Sequence, residues 1–202
     1  MKKLILYVVG MNILALGIIF NTLSLLGVGA FSTLPYAVSL ITQLSLGQAN
    51  IVFYLIFVLI QIILEKQITV KLLFEIPFSF VFGILVDFYQ FLLPTLTLTL
   101  PMQILILLVG NTFCGLGVFL MIKGDIVLTP VDGLVYSISK VFKHPYSICK
   151  NGFDITMILI TCLVCLVSHN PIYGIGVGTL FSAFYIGRVI CLLESKEKHI
   201  LN

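Results

Sequence analysis

Charge is what this chain has least of. Only 9% of its 202 residues are Asp, Glu, Lys or Arg, against roughly 25% in a soluble domain, and the mean hydropathy is +1.20. A soluble fold of this length needs ordinary charge over its surface. Several stretches here have none for about twenty residues, the length that crosses a ~30 Å hydrocarbon core. The shortage excludes a sizeable aqueous domain and makes the chain a polytopic, all-α membrane protein whose first partner is the lipid bilayer. The formal net charge of +3 comes from basic residues dispersed between apolar segments. They form no stripe, so nucleic acid is not an expected partner.

Catalytic motifs are missing too. The sequence holds no Ser/His/Asp set, nucleotide-binding glycine loop or HExxH-type motif, and His144, His169 and His199 fall in loops or the tail. Cys114, Cys149, Cys162, Cys165 and Cys191 lie within or at the ends of apolar runs. Cys162 and Cys165 have CxxC spacing, but with no second pair and no nearby His they read as small packing residues. No disulfide, metal or cofactor is expected. An enzyme is the least favoured class, because no nucleophile and base can be named and no catalytic residue assigned.

What is present is a series of apolar runs. Met1-Lys2-Lys3 and the run after it resemble a secretory signal. Cleavage is not expected, because the run is too long and Ile104–Ile122 repeats its layout, with Gly10 and Gly17 opposite Gly110 and Gly117. Six crossings are expected, at Leu4–Leu26, Gln48–Leu64, Leu72–Leu93, Met102–Ile122, Ser147–Val167 and Ile172–Leu193. In the first, Asn12 and Asn21 read as interhelical hydrogen-bond partners; in the third, Glu75, Ser79, Gly83, Asp87 and Gln90 form one polar stripe. Thr95–Pro101 is expected to be loop, since an isolated strand beside lipid leaves its backbone unsatisfied. Gly110, Gly115 and Gly117 permit close approach of a neighbour. The sixth crossing is rich in small residues (Gly174, Gly178, Ser182, Ala183, Gly187), and a thin bundle of six helices would be thickened by a homodimer through that face.

Two segments fit neither a crossing nor a free loop. Gly27–Gly47 carries no charge yet holds Gly29, Pro35 and several hydroxyl residues. Val127–Ser139 brings Thr129 as a helix cap, Pro130 at the first helical position and Asp132 at the third, followed by apolar residues at helical spacing. The two lie 100 residues apart, with Leu34, Tyr36 and Ser39 opposite Leu134, Tyr136 and Ser139. Identity between 4–64 and 104–164 is low, and matched landmarks carry the repeat. Each half has three crossings, an odd number, so the halves face opposite ways. The expected fold is therefore a single integral membrane domain over 1–202. It has two inverted three-helix repeats (1–94 and 101–194), each with a broken, hairpin-like segment after its first helix, and a tail at 195–202.

With the N-terminus inside, all 11 basic residues sort to one side. Lys2 and Lys3 precede the first crossing; Lys66 and Lys71 follow the second; Lys123, Lys140, Lys143 and Lys150 lie between the fourth and fifth; Arg188, Lys196 and Lys198 end the sixth. The opposite segments, 27–47, 93–101 and 169–171, have no Lys or Arg, as the positive-inside rule demands. Both termini are then cytoplasmic.

Gly124 with Pro130-Val131-Asp132-Gly133-Leu134, a GxGPxDxL-like element, joins Gly83-Ile84-Leu85-Val86-Asp87 and the Gly178–Gly187 run. On these the chain resembles, over its whole length, the YczE/YyaS/YitT group of bacterial integral membrane proteins. Ala30 and Ser32 stand where that group's Pro and Asp would fall in the first half. The resemblance implies a multi-pass protein of the bacterial cytoplasmic membrane and supplies no reaction.

The candidate substrate- or ion-binding residues are Asp87, Asp132, Thr129, Asp154, Glu75 and Arg188. Glu75 and Asp154 lie one turn past Lys71 and Lys150, about 6 Å deep at 1.5 Å per residue, so reaching the headgroups is the plainer reading for both. Arg188 snorkels or pairs with Glu75 or Asp154. Asp87 has no basic residue at its depth, so it is either a cation or proton site or a hydrogen-bonded packing residue. Asp132 is a helix cap or a ligand. Inverted halves with interrupted helices point to a small secondary transporter or permease-like protein for an unknown small solute or ion. The rival readings are a non-transporting membrane factor that supports a partner complex, and a substrate-capture subunit of an ATP-driven importer.

Overall fold

A computed structural model describes residues 2–93 and 98–200, excluding the side chains of residues 194 and 197–200. Among the described residues every regular element is helical: α1 (Lys2–Leu23), a 3-10 turn (Ala30–Ser32), α2 (Thr33–Thr42), α3 (Leu46–Glu65), α4 (Val70–Leu92), α5 (Leu100–Gly124), α6 (Pro130–Phe142), α7 (Tyr146–Val167) and α8 (Val177–Ile200). By length and composition five of them, α1, α3, α4, α5 and α7, can cross a membrane. Their outward faces carry large exposed apolar side chains such as Ile63, Ile84 and Leu163. Such surface is far beyond the patch a soluble monomer exposes.

The sixth expected crossing differs. Ile172–Gly176 is not helical, and α8 begins at Val177 and runs to Ile200 through the expected tail. Of the glycines read as helix-packing residues, Gly174 lies in a turn instead, while Gly178 and Gly187 lie within α8. Gly174 has φ +75°, its carbonyl accepts from Val28 N–H at 2.9 Å, and Gly178 N–H donates to the Leu26 carbonyl at 2.8 Å. A Cβ at Gly176 would collide with that same Leu26 carbonyl. Of the small-residue face, Ser182 is buried while Ala183 and Gly187 are exposed.

Other boundaries shift for local reasons. The first crossing ends at Leu23 rather than Leu26, because Ser24 Oγ donates to the Asn21 carbonyl and Leu25 turns left-handed. Of the expected Thr95–Pro101 loop, residues 95–97 lie outside the described part, and Leu100 already opens α5 with Pro101 in its first turn, where no backbone N–H is needed.

The chain divides into two compact units: Met1–Gly29, Phe88–Ile126 and Gly174–Asn202 form one, Ala30–Asp87 and Val127–Tyr173 the other. In the first, α1 and α5 run antiparallel through paired glycines. A Cβ on Gly10 would sit 2.7 Å from the Gly117 carbonyl oxygen, and one on Gly17 2.8 Å from that of Gly110. The backbones meet there without side chains between them, as small-residue membrane contacts do. The expected interhelical amides are present: Asn21 Nδ2 donates to Asn111 Oδ1 at 3.0 Å, and Asn12 Oδ1 accepts from Tyr89 at 2.8 Å. Gly115 receives Val189 of α8. Cys114 packs at Gly17, the small-residue role its sequence position indicated.

The second unit has an aromatic core, with Phe78 and Phe82 stacked at 5.4 Å, Tyr54 on Phe82 at 5.8 Å and Phe57 edge-on to Phe153 at 5.5 Å. α2 meets α7 through a 3.0 Å hydrogen bond between Thr33 and Thr161, and α6 meets α3 where Gly133 lies against Gln61. Left-handed residues other than glycine, a few per cent of ordinary chains, recur in register. Leu25 and Asp125 follow α1 and α5, and Gln43 and Lys143 follow α2 and α6.

Candidate functional site

The sequence organises the start of α6 first. Thr129 is its N-cap, with Oγ1 accepting from the Asp132 backbone N–H and donating to Asp132 Oδ2 at 2.8 Å. Pro130 fills the first helical position. The cap reading of Thr129 therefore holds, whereas among the described residues the Asp132 carboxylate receives no backbone N–H and instead accepts from the Thr129 hydroxyl and, at 3.1 Å, from the hydroxyl of Tyr146 at the head of α7. Thr129→Ala removes the cap, so unfolding in detergent should show a loss of about 1 kcal/mol.

Behind this first turn lies a buried polar pair. Glu75 of α4 is 4% exposed and Gln61 of α3 is 2% exposed. Gln61 Nε2 donates to Glu75 Oε2 at 2.7 Å and approaches the Pro130 carbonyl oxygen at 3.4 Å. Gly133 lies close above them, since a Cβ there would come within 2.5 Å of Glu75 Oε1 and 2.7 Å of Gln61 Oε1 and would push those side chains aside. Ser79, one turn on, is fully buried and donates to the Glu75 carbonyl. The headgroup reading of Glu75 is thus overturned. Its depth along α4 is shallow, but α3 and α6 cover it from the sides.

A third tie lies further along α6. Ser137 Oγ donates to Glu65 Oε1 at 2.6 Å, and Lys140 pairs with Glu65 Oε2 at 3.0 Å.

Asp87 closes the other end of the polar stripe on α4. Its Oδ1 accepts from Gly47 N–H at 2.7 Å and its Oδ2 from Ser45 Oγ at 2.6 Å. Ser45 is the N-cap of α3, so Asp87 meets the donor end of that helix, where a negative group is favoured without any basic side chain. This favours the hydrogen-bonded packing reading. Gln90, expected on the same stripe, is exposed.

Asp154 pairs with Lys150 in its own helix at 3.0 Å. The Lys150 ammonium also lies over the Phe31 and Phe153 rings at 5.3 and 5.5 Å. Arg188 is exposed on α8, while Gln61 and Lys150 are the partners of Glu75 and Asp154. The structure therefore gathers Glu75, Asp132 and Thr129 around the first turn of α6 and assigns Asp87 to a helix end. Sequence reasoning missed Gln61 and the Glu65–Ser137–Lys140 tie. Gln61 had a signal, being the sole amide in the otherwise apolar run from Ile51 to Leu64.

These features define an all-helical protein with several helices apolar and long enough for a bilayer and a buried acid–amide pair beneath a short, capped helix. Residues 1–195 match a family of unknown function, DUF6198, and the chain belongs to it. No curated protein and no solved structure matches.

Proposed function

We propose that this is a small secondary transporter of the bacterial cytoplasmic membrane, built from two inverted three-crossing halves with both termini cytoplasmic. The observation that carries the reading is the α1–α5 contact. A shift of 100 residues turns the Gly10–Gly117 crossing into Gly110–Gly17, the neighbouring crossing of the same antiparallel pair. Antiparallel packing of two helices that stand 100 residues apart supports a two-fold axis between the halves, lying in the membrane plane. The same shift turns the Thr33–Thr161 pair into Gly133 against Gln61, and the left-handed Leu25 and Gln43 into Asp125 and Lys143.

α2 and α6 are then the interrupting segments, and α8 is the sixth crossing. Its apolar part, Val177–Leu193, is about 25 Å long at 1.5 Å per residue. The resemblance to the YczE/YyaS/YitT group and the one-sided placement of Lys and Arg support the membrane and the orientation. Architecture of this kind serves alternating access.

Two measurements test the proposal. With an impermeant maleimide read by mass spectrometry at the substituted site, Gln43→Cys should react from outside intact cells and Lys143→Cys only after permeabilisation. Labelling of both from one side removes the inverted repeat. Purified protein in liposomes should accumulate at least one of a panel of labelled amino acids, organic anions or monovalent cations above protein-free vesicles. An empty panel with a copurifying ATPase would favour a substrate-capture subunit, and one with another stable partner complex would favour an accessory factor.

A further inference from the structure

We infer that the Glu75 carboxyl is a proton-binding site and that its proton load controls the seating of α6. The inference rests on the transporter reading only for the use to which the proton is put. Glu75 lies within a membrane-crossing helix at 4% exposure, and the hydrogen bond it receives comes from the neutral amide of Gln61. The acids near enough to act on it electrostatically are Asp132 of α6 and Glu65 of α3, both of its own sign. Lys140 is paired with Glu65 and Lys150 with Asp154, and Lys71, one turn before Glu75 on α4, is exposed. An ionised carboxylate buried without a counter-ion costs several kcal/mol, so a cation must accompany it.

The donor set selects the proton over a metal ion. A metal ion of the oxygen-seeking kind needs several converging oxygens. Here Gln61 points Nε2 at both Glu75 and the Pro130 carbonyl, placing N–H groups where a metal would sit. No three acidic, His or Cys side chains converge to hold a metal among the described residues.

α6 is the element that would respond. Its first turn rests on the carboxyl at Gly133 with no side chain to buffer the contact, and left-handed residues, Asp125 and Lys143, lie at either end of the segment. When Glu75 gives its proton to water, the carboxylate is left facing Asp132 and the closely seated Gly133 backbone. Repulsion and the demand for hydration then act together to lift the first turn, while the Glu65 tie to Ser137 and Lys140 holds the second half.

The test uses dicyclohexylcarbodiimide on the whole protein in membrane vesicles. The O–H of a protonated carboxyl adds across one C=N bond of the reagent, and the acylisourea rearranges to a stable acylurea with no leaving group. Peptide mass spectrometry should find the adduct at Glu75 and not at Glu65, falling severalfold as pH rises, with Na⁺ or K⁺ at fixed pH giving no protection. In parallel, the maleimide reactivity of Val135→Cys on the buried face of α6, divided by that of exposed Tyr136→Cys, should rise with pH. Adding Glu75→Gln, which fixes the site neutral, should hold that ratio low. Protection by Na⁺, no adduct at the lowest pH, or a ratio that climbs equally with Glu75→Gln would each overturn the inference. Labelling does not require transport, so vesicles that label at Glu75 but take up no solute would count against the transporter reading alone.

Discussion

Gly117→Val should yield little folded protein. A Cβ at this position would lie 2.6 Å from the Leu14 backbone nitrogen and 2.8 Å from the Gly10 carbonyl oxygen. Neither atom can rotate out of the way, so α1 and α5 would have to separate along their length, loosening the Gly17–Gly110 crossing and the 3.0 Å Asn21–Asn111 bond. Overpacking a tight core costs about 1–3 kcal/mol where side chains can shift, and this site should exceed that range. With total stabilities of roughly 5–15 kcal/mol, the expected readout is loss of the monodisperse peak in size-exclusion chromatography and a large drop in thermal midpoint. Gly187→Ala on α8 is the control. Nothing lies within 4 Å of a Cβ there, so removing a helical glycine should stabilise by about 0.5–1 kcal/mol. If Gly117→Val behaves like Gly187→Ala, the close antiparallel contact is wrong and the two-fold argument fails with it.

The contrast between these glycines shows what a sequence discloses. Gly10, Gly17, Gly110 and Gly117 could be matched in pairs by counting, because the landmarks of a repeat are local. That the pairs face one another is a property of two helices far apart in the chain. The Gly174–Gly178 region shows the reverse error. Small residues at fours read as a packing face, yet the first of them, Gly174, belongs to a turn whose partner is the Val28 backbone, and no side-chain pattern records a backbone partner.

The candidate site was legible to the same degree. Thr129, Pro130 and Asp132 spell a helix start within four residues, and the structure builds that start. Glu75 was misplaced because depth along a helix can be counted from Lys71, whereas lateral cover by α6 cannot. Asp87 stayed between two readings for a related reason. The search for its partner was made among basic side chains, and the donors are a serine hydroxyl and a backbone N–H at the start of α3.

Asp87→Ala is therefore expected to be a stability mutation, with a loss of about 3–6 kcal/mol from two strong hydrogen bonds, each worth roughly 1.5–3 kcal/mol. The α3 cap itself survives, because Ser45 Oγ still accepts from Gln48 N–H and Gln48 Oε1 from Ser45 N–H, both at 3.0 Å. What loosens is the docking of α3 on α4, where Gly47 sits against Gly83. Asp87→Asn keeps one oxygen for Gly47 N–H and offers its amide to Ser45 Oγ, so it should lose only about 1 kcal/mol. Ser45→Ala combined with Asp87→Ala should cost less than the sum of the two, since both remove the same 2.6 Å bond. In liposomes the ranking should invert: Asp87→Asn retains solute uptake, while Glu75→Gln, which leaves an isosteric neutral group in the buried pair, abolishes proton-driven accumulation. An Asp87→Asn protein that unfolds like the parent but takes up nothing would return Asp87 to the ion path, and the assignment of the proton to the acid beneath α6 would have to be shared or withdrawn.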